Sequence, residues 1–304
     1  SVFPKNDNGY MLFSLGSATV ALLVMFPAAF FAGMTLPLFT VALLRRGYGG
    51  KSIGRIYAAN TLGAIVGVVL AMHVLIPLMG LRLAVTLAAL VDVILGLVLL
   101  RAFSVQFKPK LYFGALAGAL VVASLSLLFG GADPRALASG VFRHGRGELA
   151  KGSEVRFLRD GKTATVTFFT QGALATIATN GKPDASAIMS ENELPSDDES
   201  TMAMTASLPL ALHPAPERIA VIGWGSGMTT NTLLGSKVPK VVDTIEIEEA
   251  MHAGAQGFGN RVLRAYIDPR SQLHIDDART YFSAGQKRYD VIISEPSNPW
   301  VSGV

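Results

Sequence analysis

The chain has no cysteine among its 304 residues, which excludes disulfides and thiolate metal sites but does not fix a compartment. It is also poor in charge, with 16% Asp, Glu, Lys and Arg against 50% hydrophobic residues, so long stretches must lie out of contact with water. It lacks an initiator methionine, beginning at Ser1, and stops at Val304 just beyond what reads as the end of a core strand. It is therefore read as a fragment or processed chain. Its apolar runs are too long and too numerous for a cleaved signal peptide.

The scarce charges are unevenly spread. Up to Gly131 there are nine basic residues and only two acidic ones, Asp7 and Asp92, for a net +7. The remainder carries 17 basic and 20 acidic residues, for a net −3. The basic excess lies beside apolar runs, where loop cations orient membrane helices, so no nucleic-acid partner is expected. Met11 to Leu44 is uncharged and interrupted by Pro27 and Pro37. Ile56 to Leu78, Leu83 to Leu100 and Leu111 to Phe129 follow. A span needs roughly 20 apolar residues, so residues 1–131 are predicted to form a multi-span helical region facing membrane lipid.

Gly63 and Gly67 form a GxxxG that allows close helix contact. Asp92 is expected to face the interior of the bundle, hydrogen-bonded or protonated. Arg45, Arg46, Lys51 and Arg55, then Arg101, Lys108 and Lys110, place their loops in the cytoplasm. Four simple spans would then leave everything after Gly131 outside. Arg135, Arg143, Arg146 and Lys151 nevertheless favour the cytoplasmic side. The expectation is a multi-pass protein of a cell membrane with its soluble domain inside.

Residues 132–152 read as a linker. Residues 153–213 read as a small antiparallel β-domain with a helix: Glu154 to Leu158, Thr163 to Thr170 and Ala173 to Thr179 are β-prone, with Asp160-Gly161 and Asn180-Gly181 as turns. Ser196 would cap a helix running to Leu212. Over residues 214–304 short apolar strands alternate with helices, the pattern of an α/β Rossmann-like parallel sheet. The strands are Ile219 to Ile222, Val241 to Ile247, Leu273 to Ile275 and Tyr289 to Ile293, and each ends in a candidate binding motif. Ligands of such sheets bind beyond the carboxyl ends of the strands.

The first motif is Gly223-Trp224-Gly225-Ser226-Gly227, opening a helix. Missing side chains at Gly223, Gly225 and Gly227 let a ligand approach backbone N–H groups at a helix start. Glu246 stands 23 residues after Gly223, where a carboxylate accepts both ribose hydroxyls. The loop has no Lys-Ser/Thr, which argues against triphosphate hydrolysis; spacing alone also allows a nicotinamide cofactor. Asp276 and Asp277 end the third strand, and Asp277 can accept from an adenine amine, cap the next helix, or do both. Glu295 and Asn298, within Glu295-Pro-Ser-Asn-Pro-Trp300, follow the fourth strand, where a carboxylate can take a proton from an amine nucleophile. No metal site is expected.

From about Asn180 to Pro299 the chain resembles spermidine synthase and related polyamine aminopropyltransferases, and in particular the bacterial membrane-fused, spermidine-synthase-like proteins. The resemblance rests on Asn180-Gly181, Asp197-Asp198-Glu199, Leu208-Pro-Leu210 with His213-Pro214, the glycine loop, Ile245-Glu-Ile247, Asp276-Asp277 and Glu295 to Pro299. Phe31-Ala-Gly-Met-Thr-Leu-Pro37 and Gly54-Arg-Ile-Tyr-Ala-Ala-Asn-Thr-Leu-Gly63 carry it into the apolar region.

It implies a class I methyltransferase-type domain, here truncated at its C-terminus, that binds decarboxylated S-adenosylmethionine and passes an aminopropyl group to putrescine or another small amine. It assigns Gly223, Gly225, Ser226, Gly227, Glu246, Asp276 and Asp277 to the cofactor, with Glu295 and Asn298 as catalytic. Three positions depart from the family: Ser226 replaces an aspartate that helps hold the aminopropyl amine, Glu295 and Asn298 replace two aspartates, and Thr201 replaces a tyrosine. Asn298-Pro299-Trp300 is similar to the Asn-Pro-Pro-Tyr loop of amine-directed methyltransferases. S-adenosylmethionine-dependent methyl transfer is thus the alternative, and a non-catalytic membrane transport or sensing protein with an adenosyl ligand is a third reading. A homodimer is the candidate assembly. Having about four of seven expected strands, the chain is expected to be inactive alone.

Overall fold

The computed structural model describes residues 6–103, 109–129, 131, 133–140, 147–285 and 287–294. By its contacts the chain divides into two compact units, residues 1–74 and 75–304.

The first unit holds α1 (Asp7–Arg45) and α2 (Lys51–Leu70). Asn6 caps α1 through Gly9 N, and the helix runs on through Pro27 and Pro37. Apolar residues surround both helices instead of forming one stripe, so Leu22, Phe31, Leu62 and Ile65 stand exposed. A helix apolar all round belongs in an apolar environment. Among the described residues nothing lies within 4 Å of where a Cβ would stand at Gly63 or Gly67. A π-helical turn, Ala71–Leu75, carries His73 at the junction with the second unit.

The second unit opens with α3 (Ile76–Phe103) and α4 (Pro109–Phe129). Gly80 breaks α3, with φ 77° and ψ 165°, a backbone state that favours glycine. Just after the break the Arg82 guanidinium reaches the carbonyls of Ser126 and Leu127 near the end of α4, so the two helices run antiparallel. Asp92, expected to face the interior of the bundle, is exposed on α3.

Four antiparallel strands follow in sequential order: β1 (Ser153–Asp160), β2 (Thr165–Gln171), β3 (Leu174–Thr179) and β4 (Lys182–Ile188). The turn residues Asn180 and Gly181 both take positive φ, as an Asn-Gly hairpin requires. Then comes α6 (Asp197–Leu212), after the short α5 (Pro134–Leu137) near the unit's start. Its capping box is complete: Ser196 Oγ accepts from Glu199 N, and the Glu199 carboxylate accepts from Ser196 N.

The second sheet is parallel, built from β5 (Arg218–Ile222), β6 (Val241–Glu246), β7 (Ser271–Ile275) and β8 (Val291–Ser294) in the order β7-β6-β5-β8. This order reverses direction beside β5, placing a topological switch point at the end of that strand. Its helices are α7 (Met228–Leu233), α8 (Glu249–Ala255), α9 (Leu263–Ile267) and α10 (Ala278–Ala284).

The two sheets share a core. Val166, Phe168, Ile177 and Ala187 of the small sheet pack with Trp224, Met251, Phe258 and Val262 of the larger layer. Phe168 meets Phe258 edge-on at 5.0 Å, and Gly257 leaves no room for a Cβ beside the Phe168 ring. Burying a ring of this size contributes about 2–3 kcal/mol.

Candidate functional site

The site lies where β5 and β6 end. Gly223 N donates to Ile245 O at 2.8 Å, tying the start of the glycine loop to β6. Trp224 N donates to Glu246 Oε2 at 2.7 Å, and Glu248 N donates to Glu246 Oε1 at 2.9 Å. Glu246, 7% exposed, is thus oriented by backbone at both oxygens and keeps further lone pairs. Burial pushes its carboxyl above the usual range, against the pull of the hydrogen bonds from Trp224 and Glu248.

The three loop glycines have positive φ: 93° at Gly223, 53° at Gly225 and 84° at Gly227. Their surroundings differ. Among the described residues nothing lies within 4 Å of where a Cβ would stand beside Gly223, and Gly225 meets only Ala185 Cβ at 4.0 Å. At Gly227 a Cβ would press on the Trp224 indole at 3.1 Å. Gly223 and Gly225 therefore leave space for a ligand, whereas Gly227 leaves space for tryptophan.

Trp224 is a contributor that sequence reasoning left unassigned. Its ring turns inward, packing edge-on against His252 at 4.5 Å and Tyr266 at 5.1 Å. Tyr266 donates to His252 O at 2.8 Å, closing the cluster. A large aromatic between two glycines was the available signal.

Ser226 also turns inward and is fully buried, with its hydroxyl 3.1 Å from Met202 Sδ and accepting from Met228 N at 3.2 Å. At this position no side chain is offered to a ligand. Asp276 and Asp277 end β7 beside Glu246, as Asp276 N donates to Glu246 O at 3.0 Å. Both aspartates are exposed; Asp277 caps α10 through Thr280 N at 2.9 Å, and Asp276 accepts from Asp277 N at 2.8 Å. Glu295 and Asn298 lie outside the described residues. The last described residue of β8, Ser294, pairs with Ile222, which directly precedes Gly223.

Two other buried carboxylates serve different ends. Glu199 belongs to the acidic first turn of α6, yet it is buried against Arg261 and accepts from Ile188 N at 2.8 Å. Burial opposes its charge, but the Ile188, Ser196 and Arg261 donors hold its carboxyl below the usual range. Asp243, fully buried in mid-strand, accepts from His274 at 2.6 Å, Tyr289 at 3.0 Å and Lys287 at 3.1 Å. These donors outweigh its burial and lower its carboxyl likewise. Among the described residues no group of three His, Asp or Glu side chains is placed to hold a metal ion.

Residues 199–303 match the spermine/spermidine synthase domain family. A polyamine aminopropyltransferase of Leptospira biflexa is 32% identical over 103 residues, covering 34% of this chain and 37% of the relative. One from Thermococcus onnurineus is 31% identical over 87 residues, covering 29% and 31%. Spermine synthase of Arabidopsis thaliana is 30% identical over 104 residues, covering 34% and 29%. The alignments thus span about a third of each relative's length. Among solved structures, spermidine synthase from Thermotoga maritima is 21% identical with a TM-score of 0.40, covering 46% of this chain and 47% of its own. A spermidine synthase in complex with the transition state analogue AdoDATO is also 21% identical, with a TM-score of 0.42 and coverages of 48% and 47%. The similarity to the spermine/spermidine synthase domain family is confined to residues 199–303.

Proposed function

We propose that this chain is the membrane-embedded, donor-binding part of an aminopropyltransferase that uses decarboxylated S-adenosylmethionine and a small amine. The observation that carries the reading is the join between Glu246 and the glycine loop: a buried carboxylate, held from Trp224 N at 2.7 Å, beside a loop that the described residues leave open at Gly223. Glu246 takes the ribose hydroxyls, and Asp276 and Asp277 stand at the adenine end. The acceptor amine attacks the carbon next to the sulfonium; the C–N bond forms as the C–S bond breaks, and sulfur leaves as the neutral thioether methylthioadenosine. Glu295 takes the proton lost by the amine and Asn298 orients it. Holding the reactants in line supplies much of the rate.

Methyl transfer from S-adenosylmethionine is the second reading, favoured by Ser226, which brings no carboxylate to an aminopropyl amine. The released thioether separates the two when the full-length protein is assayed with both donors. Methylthioadenosine supports the first reading, and S-adenosylhomocysteine in its place overturns it.

Among the described residues three helices, Asp7–Arg45, Lys51–Ala102 and Pro109–Leu128, are apolar enough and long enough to span a bilayer, which supports embedding in lipid. The soluble layer is placed on the cytoplasmic side, where the donor is made. Across α3 and α4 it then lies opposite Arg101 and Lys110, against the usual charge bias. A homodimer is the proposed assembly.

A further inference from the structure

Glu248, two residues past Glu246, is only 4% exposed, and its carboxylate spans two parts of the second unit. One oxygen caps α8 through Ala250 N at 3.1 Å. The other accepts from Thr163 N and Thr163 Oγ1, each at 2.8 Å, and from Ala164 N at 3.4 Å. Thr163 and Ala164 form the β1–β2 turn, 85 and 84 residues earlier in the chain. The approach is close enough that a Cβ on Gly161 would overlap the Glu248 carboxylate. Burial opposes charge on Glu248, but the donors from the turn and α8 hold its carboxyl below the usual range.

A second carboxylate stands at the same hairpin. Asp160, the last residue of β1, accepts from Thr165 Oγ1 at 2.7 Å through one oxygen and from Leu81 N at 2.9 Å through the other. Leu81 follows the Gly80 break, so its amide belongs to a helix start, where N–H groups lack helical acceptors. Gly80 has little room for a side chain: a Cβ would lie 3.2 Å from Asp160 Oδ2. A continuous set of contacts thus runs from the start of α3 through Asp160, the hairpin turn and Glu248 to Glu246 and Trp224 N.

We infer that the β1–β2 hairpin is a strap through which the apolar helix pair sets the adenosyl loop, with Asp160 and Glu248 as its positioning residues. The inference rests on the reading that Glu246 and the glycine loop bind the adenosyl group. Glu248 touches no ligand in this account; it fixes Glu246 through its own N–H and anchors that corner to the hairpin. Coupling is reciprocal, so a ligand on Glu246 steadies the start of α3 as the helix steadies the loop.

The test uses the whole chain in lipid nanodiscs, titrated with methylthioadenosine. Asp160→Ala and Glu248→Gln each weaken binding by roughly 3- to 10-fold, the range of transmitted coupling. The double variant binds no more weakly than the weaker single one, because both cut the same strap. Hydrogen exchange at Leu81 slows when ligand is added to wild type, a response that a purely structural role would not give. Wild-type affinity in Asp160→Ala, or losses that multiply in the double variant, overturns the inference. If wild type binds no adenosyl ligand, that result removes the adenosyl reading alone. The strap is then judged by exchange without ligand: faster exchange over residues 78–84 in Glu248→Gln supports it, and unchanged exchange sinks it.

Discussion

Trp224 N and Glu246 Oε2 lie 2.7 Å apart, joining the glycine loop to the end of the neighbouring strand. Glu246 therefore needs little reorganisation to meet ribose hydroxyls. A hydrogen bond to a charged group contributes about 1.5–3 kcal/mol, so Glu246→Ala should weaken adenosyl binding by at least about tenfold. Titration calorimetry with methylthioadenosine reads this directly.

The same carboxyl gives binding a pH dependence. Its pKa is raised in the folded chain, and ribose hydroxyls donate preferentially to the charged form. Affinity should therefore fall as pH drops through that raised pKa, above the ordinary Glu value of about 4.3. Glu246→Gln should bind weakly with no such dependence, and an equally steep profile in that variant would reassign the titrating group.

Stability should respond to acid through other residues. Glu199, Glu248 and Asp243 all have lowered pKa values in the fold. A lowered carboxyl stabilises above its unfolded pKa, and that contribution is lost as pH falls through the folded pKa. The melting temperature should hold above about pH 5 and decline below the ordinary carboxylate range of about 4. Glu199→Gln should lower the plateau, since it strips Arg261 of its buried partner, and flatten the acid limb.

The shared core predicts cooperative unfolding of both sheets. Phe168→Ala should cost about 3–5 kcal/mol and release the Trp224 fluorescence change in the same transition, because Phe168 packs on Phe258 across the layers. Two separate transitions by calorimetry would show that the sheets fold independently.

The absence of cysteine makes topology accessible. Ser207→Cys, exposed on α6, should react with a membrane-impermeant maleimide only after cells are opened, if the soluble layer is cytoplasmic. Labelling of intact cells would place it outside.

Much of the larger layer was legible because its signals are local. Apolar runs bounded by glycine or acid give β5 to β8 to within two residues, and the spacing to Glu246 picks out the carboxylate that meets the loop. The strand β4 was not legible, since Lys182-Pro-Asp-Ala-Ser-Ala lacks alternation and is held by pairing with β3. Glu199 reads as surface acid in sequence, yet its place under Arg261 depends on a partner 62 residues away. Asp277 shows its helix-capping role in the fold, while any contact with adenine awaits a ligand. Gly227 reads as a ligand-contact glycine, but its neighbour Trp224 decides its role. Burial of that indole is a tertiary fact that no spacing reveals.

The most direct test of the adenosyl site is calorimetric titration of the whole chain with methylthioadenosine, wild type beside Glu246→Ala. The account predicts one site per chain in the wild type, weakened by at least about tenfold in the variant. Absence of binding in the wild type, or equal affinity in both proteins, would contradict it.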